Sequence, residues 1–168
     1  MGNESNFPDF LQGRLWHTTH PDRYQQILKS GAILPNPLIP DNDRWKTSRG
    51  PHYFPYVRTL GAVSLFDFDG FDPASYSTNY PISSWREFVP YRRTWGASVW
   101  IEIDRHAVAD KFMTAEQLRN RLSQENAHRH TLMPKIEVAY LGPIPISAFL
   151  CAFDCRADRP NCQIATKP

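Results

Sequence analysis

The stretch Arg14-Leu15-Trp16-His17-Thr18-Thr19-His20-Pro21-Asp22 opens with residues rich in aromatic and β-branched types and then breaks at His-Pro-Asp, as a strand followed by a stop would. Beyond it Tyr24, Ile27 and Leu28 recur at helical spacing until Gly31, with Asp22 or Thr19 placed to cap the helix. This strand, turn and helix unit is followed from Leu34 to Tyr56 by Pro, Asn, Asp, Trp and Tyr without a period, a loop of the long kind that tends to carry function. Gly61 to Phe68 reads as a second strand ended by Asp69-Gly70, and a second irregular region runs from Phe71 to Trp95. Ala97 to Ile103 is the clearest strand, with Val99, Ile101 and Ile103 on one face and Trp100 and Glu102 on the other. Helices are read at Ala107 to Phe112 and at Ala115 to Glu125, the latter capped by Thr114. Lys135 to Leu141 is a strand stopped by Gly142-Pro143, and Ile146 to Phe153 is a further strand or a helical turn. Strands outnumber helices and are joined by long connections, so the fold class is α+β rather than a regular βαβ alternation.

The chain has 168 residues, a size that fits one domain better than two. Residues 1–12 read as a polar N-terminal tail, 13–153 as the domain and 154–168 as a C-terminal tail. A hydrophobic fraction of 41% can build one core, and 15 Pro against 8 Gly favour stiff, irregular connections over tight turns. The formal charge of +2 gives no broad electrostatic footprint for a polyanion. Apolar stretches such as Ile144 to Phe153 fall far short of the ~20 residues of a membrane span, so no membrane partner is expected. Met1 to Ser5 carries no signal-peptide pattern, and Asn6 stands where a myristoylation motif wants Ser or Thr. Cys151, Cys155 and Cys162 form an odd set, which points to free thiols in a reducing, cytoplasmic setting. Their spacing is not a standard zinc pattern, although His128 or His130 offers a fourth ligand, and no metal is expected.

No Gly-rich phosphate loop, H-E-x-x-H or G-x-S-x-G motif is present. What remains is a set of polar residues on apolar strands. Strand alternation places Glu137 with Ala139 and Leu141, so it is either a surface carboxylate beside Lys135 or a carboxylate held in a cleft. His17 among Trp16 and two threonines, and Ser64 in Val63-Ser64-Leu65-Phe66, carry the same ambiguity between structural and ligand-binding roles. Arg49, Arg58, Tyr53 and Tyr56 flank the Ser64 strand.

The order of these residues resembles the ADP-ribosyltransferase fold family. Leu15-Trp16-His17-Thr18-Thr19, a helix with Ile27-Leu28 and then Ser30-Gly31-Ala32-Ile33 look like its opening strand and helix. Met133 to Pro145 is similar to the last catalytic strand of DarT-like enzymes and RNA 2′-phosphotransferase relatives. Gly50-Pro51-His52-Tyr53-Phe54 and Val63-Ser64-Leu65-Phe66-Asp67 resemble middle motifs of other members. Thr18 stands where the family carries Gly. The resemblance implies split antiparallel or mixed sheets with flanking helices and long loops, and NAD as the substrate. It further implies catalytic roles for Glu137, Arg58 and Ser64. His17, Thr18, Thr19, Tyr53 and Tyr56 would bind the dinucleotide, with Arg58, or else Arg49, meeting the pyrophosphate or the acceptor.

The acceptor is a nucleic acid or a protein, and a toxin, effector or defence role with a cognate inhibitor is the setting such a resemblance implies. Trp85, Arg86, Phe88, Tyr91, Arg92, Arg93 and Trp95 interleave aromatic and basic residues, either as a single-strand nucleic-acid groove or as a loop packing its own aromatics with arginines at the surface. The competing expectations are a noncatalytic binding module on the same fold, an RNA 2′-phosphotransferase-type enzyme, and a metal enzyme built on the cysteines and histidines. Geometry discriminates between the first of these and the transferase: Glu137 and His17 should face one cleft, and side chains on opposite faces of the sheet would end the enzyme reading.

Overall fold

A computed structural model describes residues 6–165, so the Met1 to Ser5 reading lies outside the described residues. Leu15–Thr19 forms β1, and Pro21–Ser30 forms α1 with Pro21 at its first position, where the missing N–H costs nothing. The cap is His20, whose Nδ1 accepts from Asp22 N–H at 3.1 Å, rather than Asp22 or Thr19. Gly31 ends the helix in the left-handed region (φ 79°) and donates its N–H to Ile27 O. Then come β2 (Ala32–Ile33), α2 (Tyr56–Thr59), β3 (Val63–Asp67), α3 (Pro73–Asn79) and β4 (Ala97–Ile103). The expected helix at Ala107 to Phe112 is instead a short 3-10 turn, Ala109–Lys111, running into β5 (Phe112–Met113). The four residues 105–108 are taken up by a turn, which leaves too little chain for a helical nucleus before the edge strand begins. α4 (Ala115–Gln124) starts at Thr114 with a complete capping box to Gln117. β6 (Glu137–Tyr140), β7 (Ile144–Pro145), β8 (Phe149–Arg156) and β9 (Gln163–Ile164) complete the described chain.

Seven strands form an antiparallel sheet in the order β5-β6-β3-β1-β4-β8-β9, and β2 pairs with β7 separately. The protein is α+β, with a mainly antiparallel sheet and a few helices. Among the described residues no helix is long and apolar enough to cross a membrane.

Strand alternation sorts the core. Leu15, Leu65, Val99, Ile101, Ile103 and Val138 pack on one face with Tyr24 of α1, while Trp16, Phe66 and Trp100 pack on the other with Phe68, Trp85 and Phe88. Both faces are covered, which is why Trp100, opposite the aliphatic face of β4, is fully buried. A third cluster sets Tyr56, Val57, Leu118 and Leu122 against Ala139.

In both segments read as tails, the described residues 6–12 and 154–165 pack on the domain. Leu11 is buried and accepts the Trp16 indole N–H at its carbonyl, while Phe7 and Phe10 pack on the aromatic cluster. β8 runs on through Arg156, and β9 pairs with it at Phe153↔Ile164 and Asp154↔Gln163. Cys155 and Cys162 are joined in a disulfide rather than free, so these two thiols are not open to metal. Cys151 donates to Glu102 Oε2 at 3.1 Å. Among the described residues no group of three or more His, Cys, Asp or Glu side chains is placed to hold a metal ion.

The sheet opens at its centre. β1 pairs with β3 only at Leu15↔Asp67 and Trp16↔Phe66, yet with β4 as far as Thr19↔Val99, while β3 stays with β6 from Val63↔Tyr140 to Phe66↔Glu137. Beyond Trp16 the His17 ring, with Nδ1 3.0 Å from Ser64 O, replaces the backbone ladder between β1 and β3.

Candidate functional site

The opening between β1 and β3 is the floor of a cavity of about 760 Å³, roofed by the long loops after β2 and α3. That volume lies within the ~300 to 1,000 Å³ usual for small-molecule sites. Alternation places His17 with Ile101 on one face and Glu137 with Phe66 on the other. By alternation this is the opposite-face arrangement that would end the enzyme reading. The sheet, however, is open between β1 and β3 beyond Trp16, and both residues line this one cavity, which takes Ile33 and Val63 from the first core cluster and Met133 from the second.

Glu137 is only 6% exposed. Ser64 Oγ donates to its Oε1 at 2.8 Å and Met133 N–H donates to its Oε2 at 2.8 Å. The second bond depends on a tight turn in which Lys135 takes a left-handed φ of 65° and Glu137 N–H returns to Met133 O. Burial raises the Glu137 carboxyl above its ordinary value, against the two hydrogen bonds and the Lys46 and Arg92 charges, which favour the anion. Burial also lowers His17 from its ordinary value, so its ring is neutral at pH 7. A carbonyl only accepts, so Nδ1 carries the proton toward Ser64 O and Nε2 is an acceptor.

Five cationic side chains, Arg23, Arg44, Lys46, Arg58 and Arg92, line the cavity against one carboxylate, Glu137. Arg58 pairs with Asp41 at 2.6 Å and stacks on Phe54, 4.1 Å from the ring centroid. Thr18 and Thr19 line the same wall. Thr18 Oγ1 and Arg58 Nη1 are buried without a hydrogen-bond partner among the described residues.

Of the residues singled out from the sequence, His17, Thr18, Thr19, Arg58, Ser64 and Glu137 therefore meet around one cavity. Tyr53 and Tyr56 do not line it. Tyr56 is buried in the third core cluster, its hydroxyl donating to Glu125 Oε2 at 2.8 Å, and Tyr53 carries the Arg49 guanidinium over its ring. Both sit on the far side of short helical turns whose direction a loop sequence does not encode.

No family model, curated protein or solved structure matches this chain.

The aromatic and basic region after α3 divides in a way the sequence left open. Trp85 and Phe88 belong to the core, whereas Trp95 and Arg92 line the cavity, and Arg92 is buried rather than at the surface. Arg23, Arg44, Trp45 and Lys46 are cavity residues that sequence reasoning did not single out. For Arg44, Trp45 and Lys46 the available signal was their place in an unusually long loop, and Arg23 on α1 carried none.

Proposed function

We propose that the protein is an NAD-dependent ADP-ribosyltransferase acting on a nucleic-acid or protein acceptor. The observation that carries this reading is the Glu137 carboxylate, held by Ser64 and Met133 on the wall of a cation-lined cavity that His17 also borders. Breaking the bond between nicotinamide and ribose C1′ sends the bonding electrons out with neutral nicotinamide and builds positive charge on the ribose. A desolvated carboxylate fixed in place stabilises that charge in the transition state more than in the ground state. The acceptor then forms its bond to C1′ and gives up a proton.

In this reading Ser64 is a positioning residue acting through Glu137, and His17 Nε2 accepts from a ribose hydroxyl. The five cationic side chains suit the anionic diphosphate, and the gap left where β1 and β3 stop pairing after Trp16 gives the dinucleotide room beside Glu137. A cognate inhibitor would cover the cavity mouth.

The test is nicotinamide release from NAD with a mixed nucleic-acid and lysate acceptor pool. Glu137→Gln should lower release by about 100-fold or more, the scale of removing one preorganised electrostatic contact. If wild type neither releases nicotinamide nor binds NAD, the transferase reading fails.

A further inference from the structure

Arg92 is 7% exposed, and its Nε has no hydrogen-bond partner among the described residues. It is held by two indoles, with its guanidinium carbon 3.2 Å from the Trp45 ring centroid and 4.6 Å from that of Trp95. Each ring carries a second cation. Lys46 Nζ lies 5.0 Å from the Trp45 centroid, and the Arg23 guanidinium lies 5.7 Å from that of Trp95. Three like charges are thus gathered on two rings at the wall of one cavity.

Carboxylates stand around this cluster, Asp43 acting on Arg23 and Glu87 and Glu137 on Lys46 and Arg92, but among the described residues none pairs directly with Arg92. Lys46 faces Glu87 at 3.6 Å, and Arg23 donates to the backbone carbonyl of Asp43. Arg92 makes no ion pair among the described residues; Glu137 and Glu87 act on it only as more distant charges. Burial, and then Arg23, push Arg92 down to about 8, which still leaves most of it cationic at neutral pH. Lys46, moreover, is held with a left-handed φ of 53°, a conformation that costs free energy in a residue with a Cβ. A buried guanidinium with an open donor, flanked by two further cations, is incomplete as a structural element, because an unpaired buried charge is costly.

We infer that Arg92, clamped between Trp45 and Trp95 and flanked by Lys46 and Arg23, forms a subsite for a diphosphate oxyanion. The planar fork suits bidentate contact with phosphate oxygens, and the two indoles fix its plane so that little side-chain entropy is lost on binding. The choice of an oxyanion stands on the cluster itself; that the diphosphate belongs to a dinucleotide rests on the function proposed above.

The experiment is calorimetric titration of the full chain with inorganic pyrophosphate, at ionic strength matched with chloride, followed by competition with ADP-ribose. Wild type should bind pyrophosphate, Arg92→Gln should weaken binding at least 10-fold, and Arg92→Lys should recover only part of it. Should Arg92→Gln fail to fold, Lys46→Gln and Arg23→Gln serve as the variants, each with a several-fold loss. Absence of pyrophosphate binding by wild type, or equal binding by the folded variants, overturns the subsite. ADP-ribose that does not displace pyrophosphate overturns the dinucleotide assignment. Parallel nicotinamide and NAD-binding assays separate the two ideas: Arg92-dependent pyrophosphate binding with neither nicotinamide release nor NAD binding supports the subsite while the transferase falls.

Discussion

Glu137, which is buried, and His17, which is half-buried, are titratable groups whose protonation pulls stability in opposite directions. The Glu137 carboxyl has its folded value raised, so the folded protein binds the extra proton between the ordinary carboxylate value and that raised value. Stability therefore falls as pH rises through this window and is intact below it. His17 has its folded value lowered, so stability is lost instead as pH falls through the ordinary imidazole range. Glu137→Gln keeps an acceptor for Met133 N–H and lets the Ser64 hydroxyl turn to accept from the amide, so it removes the cost of the buried charge while keeping both contacts. The variant should melt above wild type at pH 7, and the difference should close as the pH falls below the ordinary carboxylate range, where the wild-type carboxyl is protonated both folded and unfolded. A Glu137→Gln protein that melts below wild type at pH 7 would show the ionised carboxylate to be stabilising. The same replacement abolishes activity in the function proposed here, the usual exchange of stability for a charged site.

At the scale of elements, the turn from Met133 to Glu137 links backbone geometry to the carboxylate. Lys135 has φ 65°, and this turn brings Met133 N–H to Glu137 Oε2. Glycine adopts that region freely, whereas a β-branched residue does not. Lys135→Gly should leave the urea midpoint unchanged or slightly raised, while Lys135→Val should cost about 1 to 2 kcal/mol. Lys135→Val should also lower nicotinamide release if the turn holds the carboxylate. Equal midpoints for the two variants would remove the turn from this role. The strands at Leu15–Thr19, Val63–Asp67, Ala97–Ile103 and Glu137–Tyr140 and the Thr114 cap of α4 were legible in the sequence, because period-two patterning and side-chain capping are local. The 3-10 turn at Ala109–Lys111 was not, since its residues favour a helix that the adjoining β5 edge strand does not allow.

For the whole molecule, the second face of the sheet is an aromatic core completed by residues outside the sheet. Leu11 is fully buried there, and its carbonyl takes the Trp16 indole N–H at 3.0 Å. Leu11→Ala should cost about 2 to 5 kcal/mol, the range for truncating a buried leucine, measured by urea unfolding. A cost below ~0.5 kcal/mol, the range of an ordinary surface substitution, would return this segment to the tail that its polar neighbours suggest. The cavity is likewise a property of the whole. β1 leaves β3 after Trp16, the loops after β2 and α3 close over the gap, and the Trp45-Lys46 pair meets Arg23 and Arg92 from three segments far apart in the chain. By itself the sequence determined the α+β class, the main strands, and the presence of His17, Ser64 and Glu137 on apolar strands, because those follow from local periodicity and residue type. Only the tertiary structure decided that β1 and β3 part to bring both faces to one cavity, that Tyr56 belongs to the core, and that Arg92 is buried between two indoles. Those outcomes depend on pairing register and on loop packing between residues distant in sequence, which no local pattern encodes.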